Sequence, residues 1–409
     1  MASACVQQLQ LRRMGSHGIL QVTGANESGG NIMETRSFEH LGIKTSLLGF
    51  GCMRFPTLPD GRINEVEAER MLDLAISAGV TYFDTAYPYH GGHSEPFLGK
   101  VLKKYPRDSF YLASKLPVWD VHKPEDAERI FQEQLERLQT DYIDFYLLHA
   151  LDKGRWEQMK ALGVIEFCEK LQKLGKIRYF GFSFHDSYKV FEEILLYRVW
   201  DFCQIQYNYL DRNEQAGDEG YALAERLGVP LIIMEPIKGG NLAGFSNDIN
   251  QRFQQMSPYA SVASFALRWV GSHPNVKVIL SGMSDMQQVE DNLHTFGSFT
   301  PFSPAEYEQL DDIVIQLRSR VRNGCTGCRY CMPCPAGVNI PQNFKIWNNY
   351  HMYRTYGHIQ RAWEKELKPE EKAANCVQCG KCETLCPQKI SIRQDLKQVQ
   401  CDLDSKIFQ

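Results

Sequence analysis

Residues 64–86 read NEVEAERMLDLAISAGVTYFDTA and hold one complete helix–strand unit. Asn64, followed three residues later by Glu67, forms the pattern of a capping box at the start of a helix. Apolar residues then recur on one helical face, and Gly79 stands where a helix-ending glycine belongs. The run 81–86 is β-branched and apolar on both faces, which is typical of a strand covered by helices on either side.

The same alternation of strand and helix repeats between about residues 46 and 296. The predicted strands are 46–51, 81–86, 110–116, 142–149, 177–184, 202–208, 230–236 and 277–282. Eight consecutive βα units predict an α/β fold, a closed (β/α)8 TIM barrel. The runner-up is an open doubly wound sheet, but no G-x-G-x-x-G motif follows the first strand.

The chain has 409 residues, more than the roughly 250 that a barrel needs. We therefore predict a barrel over residues 33–320 and a small, mainly helical domain over residues 321–409. Residues 1–32 are rich in Gly, Ser, Asn and Gln, and Met14-Gly15-Ser16-His17 resembles the remnant of an expression tag. Met33 is then the expected natural start; a native mobile arm is the alternative.

The composition excludes several classes of partner. The net charge is −4, which indicates neither a nucleic-acid surface nor a basic patch for membranes. No apolar run approaches the roughly 20 residues of a membrane helix, and no secretory signal precedes the barrel. We expect a cytoplasmic protein.

Four side chains near predicted strand ends suggest acid–base chemistry, because barrel enzymes place their reactive groups there. Asp84, Lys115 and His149 stand at the ends of strands two, three and four, and Tyr89 follows in the second loop. An ammonium lowers the pKa of a nearby phenol, so Lys115 can prepare Tyr89 for proton transfer while Asp84 holds Lys115. His149 can donate a hydrogen bond to a substrate oxygen. Each residue alone has an ordinary structural explanation: a helix cap, a solvated lysine, loop packing and a core histidine.

Two segments resemble the aldo-keto reductases: GVTYFDTA at residues 79–86 and DYIDFYLLH at residues 141–149. The resemblance extends over about residues 36–300. It implies the catalytic tetrad of that family on Asp84, Tyr89, Lys115 and His149. It also implies hydride transfer between a nicotinamide nucleotide and a carbonyl or alcohol, with Tyr89 as general acid.

The same resemblance implies nucleotide contacts, with departures. Ser183 and Gln204 match residues that bind the carboxamide, and Asn292 matches an adenine contact. Met234, in the segment Met234-Glu235-Pro236 at the end of predicted strand 230–236, replaces the stacking tyrosine, and Phe184 replaces an asparagine. Gly282 and Gln288 replace the basic residues that grip a 2′-phosphate, so the choice between NADH and NADPH stays open.

Other residues of the barrel mouth complete the predicted site. Met53 and Arg54 lead into the mouth, where Arg54 faces either an anionic group or solvent. Lys238, Gly239 and Gly240, with Ser281 and Gly282, could cradle a phosphate of the nucleotide or of a flavin, or simply turn the chain. The substrate itself cannot be read from the sequence. The candidates to line its pocket are Trp119, His122, Trp156 and Tyr209.

Eight of the thirteen cysteines fall in two short runs. The first is C-x2-C-x2-C-x2-C followed by proline, and the second is C-x2-C-x2-C-x3-C followed by proline. The second run matches bacterial two-cluster ferredoxins, whose fourth cysteine serves the other cluster. We predict two [4Fe–4S] clusters with crossed ligation. The first cluster takes Cys325, Cys328, Cys331 and Cys386, and the second takes Cys376, Cys379, Cys382 and Cys334.

Zinc and disulfides are the alternatives to clusters. Three overlapping C-x2-C spacings suit neither the two separated pairs of a structural zinc site nor a disulfide framework. The 41 residues between the runs look helical, which favours the dicluster domains fused to redox enzymes over a compact ferredoxin. Cys5, Cys52, Cys168, Cys203 and Cys401 are expected to be packing or exposed thiols.

Three functions remain open from the sequence. The first is an NAD(P)H-dependent carbonyl reductase or alcohol dehydrogenase with auxiliary clusters. The second is an oxidoreductase that takes electrons from a ferredoxin or similar carrier, with a flavin as adapter between one-electron and two-electron chemistry. The third is a non-catalytic redox sensor, which the intact set of four residues disfavours.

Overall fold

Ten strands are present in residues 32–404, the part of the chain that this computed structural model describes. The prediction for residues 1–32 falls outside that part, except for Ile32. The strands are β1 (Thr35–Phe38), β2 (Ile43–Ser46), β3 (Leu48–Gly51), β4 (Tyr82–Asp84), β5 (Tyr111–Leu116), β6 (Ile143–Leu151), β7 (Ile177–Phe184), β8 (Phe202–Gln206), β9 (Leu231–Met234) and β10 (Val276–Ser281). Strands β3 to β10 are parallel to their neighbours and close into a barrel in sequence order, with β10 beside β3. The predicted TIM barrel is confirmed.

The predicted strands differ from the observed ones only at their ends. The run 81–86 contributes only Tyr82–Asp84 to the barrel, so Thr85 and Ala86 belong to the loop. Strand β6 runs two residues past His149, to Leu151. Such shifts arise because the hydrogen-bond ladder ends where neighbouring strands end, which apolar periodicity alone does not reveal.

A hairpin that the sequence did not predict precedes the barrel. Strands β1 and β2 pair antiparallel, in register from Thr35 opposite Ser46 to Phe38 opposite Ile43. The Phe38 ring lies 5.6 Å from that of Phe145, which projects into the barrel interior. The hairpin therefore closes the end of the barrel opposite to the carboxyl ends of the strands.

Ten helices accompany the barrel strands: α1 (Glu65–Ser77), α2 (Ser94–Leu102), α3 (Pro124–Leu138), α4 (Lys153–Ala161), α5 (Val164–Lys173), α6 (Tyr188–Tyr197), α7 (Gly217–Leu227), α8 (Asn247–Met256), α9 (Val262–Gly271) and α10 (Met286–Gly297). Helix α1 begins as predicted, since the Asn64 side chain accepts a hydrogen bond from the backbone N–H of Glu67. Gly79 ends the turn after it with φ 94°, a left-handed conformation that favours glycine.

Helix α11 (Pro304–Arg318) follows α10 and buries Leu310, Ile313 and Leu317 in the barrel core. The C-terminal part after it is mainly helical, as predicted. Its α-helices are α12 (Ile340–Tyr353), α13 (Tyr356–Arg361), α14 (Lys381–Leu385) and α15 (Ile392–Asp404), and a π-helical turn spans Ala362–Glu366. A second hydrophobic core forms around Phe344, Trp347 and Trp363, apart from that of the barrel. None of the helices within residues 32–404 is long and apolar enough to cross a membrane.

Candidate active site and cysteine sites

The barrel topology brings the four predicted acid–base residues to one place. Strand β4 ends at Asp84, and Lys115 and His149 lie near the ends of the next two strands. Parallel neighbours β4, β5 and β6 place these ends side by side at the same mouth. Tyr89 opens the short helical turn Tyr89–Gly92 in the loop after β4.

Lys115 and Asp84 form a buried ion pair. The Lys115 ammonium donates to the Asp84 carboxylate over 2.6 Å and to the Thr85 carbonyl over 2.8 Å. Lys115 is fully buried and Asp84 is 2% exposed. Burial alone would lower the pKa of Lys115, but the negative charge of Asp84 and hydrogen bonds to Asp84 and Tyr89 raise it overall, so the lysine stays charged.

Tyr89 lies against this pair, with the Lys115 nitrogen 5.0 Å from the centre of its ring. Burial raises the pKa of Tyr89 above its ordinary value near 10, and Lys115 only partly offsets that rise. The sequence-based expectation of a lowered pKa is therefore wrong for the protein without substrate or cofactor. Tyr89 is only half-buried as a residue, yet the desolvation of its phenol outweighs the charge of Lys115.

His149 completes the group from the third strand. Its ring centre lies 6.0 Å from that of Tyr89 and 4.9 Å from that of Trp119. Burial, helped by the positive charges of Lys115, His185 and Arg155, holds the pKa of His149 well below its usual 6.5. The imidazole is therefore neutral at neutral pH, and its Nδ1 is buried without a hydrogen-bond partner.

A long groove runs across the mouth of the barrel from these residues. Its volume is about 480 Å³, and Asp84, Tyr89 and His149 line one part of it. Eleven of the twelve residues predicted to contact a nucleotide also line it: Met53, Arg54, Ser183, Gln204, Met234, Pro236, Gly239, Ser281, Gly282, Gln288 and Asn292. The groove therefore unites the acid–base group with the predicted nucleotide positions.

Two smaller cavities in the C-terminal part are ringed by cysteines. Cys325, Cys328, Cys331 and Cys386 line one of them. The other is lined by the first three cysteines of the second run (Cys376, Cys379 and Cys382) and by Cys334, with Cys331 shared between the two. Each ring thus draws cysteines from both runs.

The rings do not have the geometry of a single-ion site. Among the described residues, no three His, Cys, Asp or Glu side chains converge closely enough to hold one metal ion.

The fold, the groove and the rings can be compared with known proteins. The family model "Aldo/keto reductase family" matches residues 47–315, about two thirds of the chain. The protein belongs to the aldo/keto reductase family. A second model, "4Fe-4S dicluster domain", matches residues 324–390. The chain thus combines a barrel of the aldo/keto reductase family with a C-terminal 4Fe-4S dicluster domain, as the sequence predicted.

Individual relatives agree on the barrel. L-Galactose dehydrogenase of Arabidopsis thaliana is 34% identical over 157 residues, which cover 37% of this chain and 48% of that protein. Aldo-keto reductase AKR11C1 from Bacillus halodurans matches as a structure with a TM-score of 0.58 and 27% identity, covering 69% of this chain and 96% of that one. An aldo/keto reductase from Klebsiella pneumoniae, in complex with NADP and acetate, has a TM-score of 0.55 and 26% identity, covering 67% of this chain and 93% of that one. The chain spans only about half the length of two curated relatives, 59% and 48%.

One predicted nucleotide contact of this aldo/keto reductase lies elsewhere. Lys238 does not line the groove, because its ammonium lies 2.5 Å from both carboxylate oxygens of Asp211. The pair faces a separate cleft of about 680 Å³, whose lining also includes Cys325. The carboxylate that attracts Lys238 lies 27 residues away in the sequence, so no local pattern revealed it.

The predicted substrate-pocket residues are mostly misplaced. Trp156 and Tyr209 are buried in the core at 0% and 2% exposure, and His122 is exposed outside the groove. Only Trp119 approaches the four acid–base residues. Large aromatic residues near strand ends look alike in sequence whether they fill the core or line a pocket.

Sequence reasoning also missed His185, which lines the groove directly after β7. Phe184, noted as a departure from the family, is fully buried against Phe191 instead. The position of His185 directly after a predicted strand could have indicated its role, because a polar residue at a strand end can face the mouth of the barrel. Pleating turns Phe184 away, since consecutive residues of a strand face opposite sides.

Proposed function

We propose that the barrel catalyses hydride transfer between a nicotinamide nucleotide and a small carbonyl or alcohol substrate, with Tyr89 as the general acid in reduction. The observation that carries this proposal is the convergence of Asp84, Tyr89, Lys115 and His149 at one part of the groove. A bound nucleotide supplies the hydride, and the protein supplies the proton and the orientation of the substrate.

The groove offers polar atoms that suit a nicotinamide carboxamide. The Gln204 side-chain oxygen is buried without a hydrogen-bond partner. A buried acceptor in that condition costs free energy unless a ligand satisfies it. Ser183 on β7 is paired in register with Gln204 on β8. Its hydroxyl accepts a hydrogen bond from the Ala150 N–H over 2.7 Å. At the far end, Asn292 donates to the Ser281 hydroxyl over 2.8 Å, which orients both for an adenosine.

Tyr89 is prepared to donate a proton rather than to accept one. Because burial raises its pKa, the phenol is fully protonated at neutral pH. As the carbonyl oxygen gains negative charge in the reaction, the Tyr89 proton moves to it and an alcohol forms. Lys115 stabilises the tyrosinate left behind, and Asp84 fixes the position of Lys115.

His149 acts as a neutral hydrogen-bond donor to the same oxygen. A neutral imidazole carries one N–H, and burial beside Lys115 excludes the doubly protonated form. The substrate oxygen is thereby held between two donors, Tyr89 and His149, which fixes which carbon is exposed to the hydride.

Arg54 supplies a positive charge that the family positions lack. Its side chain packs over Gly282, where an added Cβ would lie 2.8 Å from the Arg54 Cγ. The glycine that replaces a basic residue thus leaves room for an arginine from the loop after β3. We propose that Arg54 binds a phosphate of the nucleotide.

The dicluster domain holds two [4Fe–4S] clusters in this proposal, one in each cysteine ring. The cavity lined by Cys325, Cys328, Cys331 and Cys386 takes cluster one. The cavity lined by Cys376, Cys379, Cys382 and Cys334 takes cluster two. When bound, such clusters supply one-electron transfer.

The decisive experiment is Tyr89→Phe, with Tyr87→Phe as the matched control. Tyr87 lies two residues away in the same loop, but its hydroxyl donates to Glu133. Tyr89→Phe should lower kcat for carbonyl reduction by roughly 10²–10⁴-fold with unchanged nucleotide affinity, whereas Tyr87→Phe should keep most activity. Near-normal turnover of Tyr89→Phe would refute the assigned role.

A second function, electron transfer between the clusters and the barrel, is favoured by one observation. The cleft that Cys325 lines has barrel residues Asp211 and Lys238 on its other side. The test compares turnover with NAD(P)H and with a reduced one-electron donor, before and after cluster removal. NAD(P)H turnover that survives cluster loss supports an independent barrel, and flavin absorption in the purified protein would support a flavin-linked route.

A further inference from the structure

Strand β6 contains a β-bulge directly after His149. Its pairing with β7 is interrupted between Leu148 and Leu151, where β6 advances by one residue more than β7. The extra residue is Ala150, whose φ of 54° is a left-handed conformation that residues with a Cβ rarely adopt. Bulges beside active sites commonly redirect a neighbouring side chain.

The bulge decides which residue of β6 is the last to face the barrel interior. Phe145 and Leu147 belong to the interior core, and the alternation of side chains along the strand places His149 on the same side. In a regular strand Leu151 would face the interior as well. Instead, it is fully buried in the core that the strands share with the helices. The inward series therefore ends at His149.

Two side chains from other elements hold Ala150 in place. The Ala150 N–H donates to the Ser183 hydroxyl on β7 over 2.7 Å. The Ala150 carbonyl accepts from the Arg155 guanidinium on α4, also over 2.7 Å. A strained backbone conformation persists only where its surroundings fix it, and these two hydrogen bonds fix the peptide groups on both sides of Ala150.

Arg155 also supports His149 from the side of the imidazole ring. Its guanidinium lies 5.4 Å from the centre of the Trp119 ring, which in turn lies 4.9 Å from that of His149. Asp152, which caps α4, holds the guanidinium through an ion pair of 3.4 Å. Arg155 thus contacts both the residue after His149 and the aromatic ring beside it, while it is not among the described residues that line the groove.

We propose that Arg155 is a positioning residue for carbonyl reduction, which sets the orientation of His149 through Ala150 and Trp119. This inference rests on the proposed function, in which His149 donates a hydrogen bond to the substrate oxygen. Arg155 itself touches neither the substrate nor the nucleotide. Burial is the main cause of the low pKa of His149, and the charge of Arg155 adds to it, which keeps the imidazole neutral.

The test measures carbonyl reduction by the full-length protein with NADH and with NADPH. The carbonyl probes are 4-nitrobenzaldehyde and cyclohexanone. Arg155→Met removes the hydrogen bond to Ala150 and the cation beside Trp119. It should lower kcat by about 10- to 100-fold, because a small displacement of an orienting group has effects of that size. The nucleotide affinity should stay unchanged, since Arg155 lies outside the groove.

Two further variants control for charge and for folding. Lys153→Met removes a positive charge from the same helix; Lys153 is exposed and makes no ion pair within residues 32–404, so kcat should stay near that of the wild type. Arg155→Lys keeps the charge, but an ammonium lacks the planar fork that serves Ala150, Asp152 and Trp119 together. It should show an intermediate loss of kcat.

A double-mutant cycle with His149→Gln separates positioning from general damage. Glutamine keeps an amide donor, so turnover stays measurable in that background. If Arg155 acts through His149, Arg155→Met should change kcat by less than about twofold in the His149→Gln protein. An equal loss of kcat in both backgrounds would overturn the proposal. Arg155→Lys takes the place of Arg155→Met in the same cycle if urea denaturation shows that the methionine variant does not fold.

The results distinguish failure of this proposal from failure of the proposed function. Wild-type protein that oxidises neither nucleotide with either probe, or wild-type turnover in both Tyr89→Phe and His149→Gln, would refute the proposed function and this inference with it. If those two variants are slow and Arg155→Met is as fast as Lys153→Met, only the role of Arg155 is overturned.

Discussion

Replacing Lys115 by methionine should destabilise the barrel, and a second change at Asp84 should restore the stability without restoring the chemistry. Lys115 is fully buried, and its ammonium lies 2.6 Å from the Asp84 carboxylate. The second Asp84 oxygen already has no hydrogen-bond partner. Without Lys115, the buried Asp84 carboxylate would lose its ion-pair partner but would still bear the free-energy cost of desolvation. Removal of one partner of a buried pair typically costs about 3–5 kcal/mol.

The double variant Lys115→Met/Asp84→Leu removes both charges and keeps a similar side-chain volume. Replacement of a buried ion pair by apolar residues is often neutral, so this variant should regain most of the 3–5 kcal/mol. The free energy of unfolding is measured by urea denaturation with tryptophan fluorescence, to which the barrel contributes four of the six tryptophans, while visible absorbance follows the dicluster domain separately. A double-mutant cycle with Asp84→Leu then gives the coupling between the two residues.

Carbonyl reduction should remain slow in both variants. Lys115 is the charge that opposes the rise in the pKa of Tyr89, and it would stabilise the tyrosinate formed in the reaction. Stability and turnover are therefore expected to separate in the double variant. The reasoning is refuted if Lys115→Met unfolds at the wild-type urea concentration, or if the double variant is no more stable than Lys115→Met alone.

Three further predictions follow from the sites. Burial raises the pKa of Tyr89 above 10, so the phenol is protonated below that pH. The value of kcat/KM for reduction should therefore stay level from pH 7 to about 10. A decline of kcat/KM that begins near pH 8 would contradict this. Arg54→Gln should weaken nucleotide binding by about tenfold in fluorescence titration, through loss of a charge-assisted hydrogen bond, and unchanged affinity would exclude Arg54 from the phosphate site. Cys386→Ser should impair cluster one and Cys334→Ser should impair cluster two, and each should lower the iron content from about eight to about four per chain. The crossed ligation would be refuted by spectra in which Cys386→Ser damages the cluster of the second run and Cys334→Ser that of the first.

The barrel could be predicted because its information is local. Each strand is a short apolar run, and each helix carries its own start and stop signals, such as Asn64 and Gly79 around α1. The hairpin of β1 and β2 lacked such signals. Its strands have four residues each and are partly exposed, and its apolar side chains, such as Phe38, are explained only by the barrel end that they fill.

The acid–base group was predictable for a different reason. Asp84, Lys115 and His149 stand at strand ends, and the order of strands in a TIM barrel places consecutive ends together. The pKa of Tyr89 was not predictable, because the balance between burial and the charge of Lys115 depends on depth. The sequence gives the charges that surround a group but not how much water reaches it.

The residues whose contacts were not predicted share one property: each contacts a residue that is distant in sequence. Lys238 was expected in the nucleotide groove but pairs with Asp211, on the loop after the neighbouring strand. For Arg54, the sequence did not decide between exposure to solvent and contact with an anionic group. In the structure its side chain packs over Gly282, which joins the loops after the first and last barrel strands. Periodicity and motif spacing describe one segment at a time, whereas these contacts form only when the barrel closes.

The turn between the groove and the cleft links the two halves of the chain. Gly239 lines the groove and Lys238, its immediate neighbour, faces the cleft on which Cys325 lies. Hydrogen bonds hold the turn against the neighbouring loop. Lys238 and Asn208 both donate to the Asp211 carboxylate, Asn208 over 3.2 Å. Arg318 donates to the Leu210 carbonyl over 2.8 Å. A hydride transfer in the groove needs no electron from the clusters, because the nucleotide delivers both electrons together. The cysteine ring that includes Cys325 nevertheless lines the cleft that this turn borders, so the loop after β9 contributes to the groove on one side and to the cleft of the dicluster domain on the other.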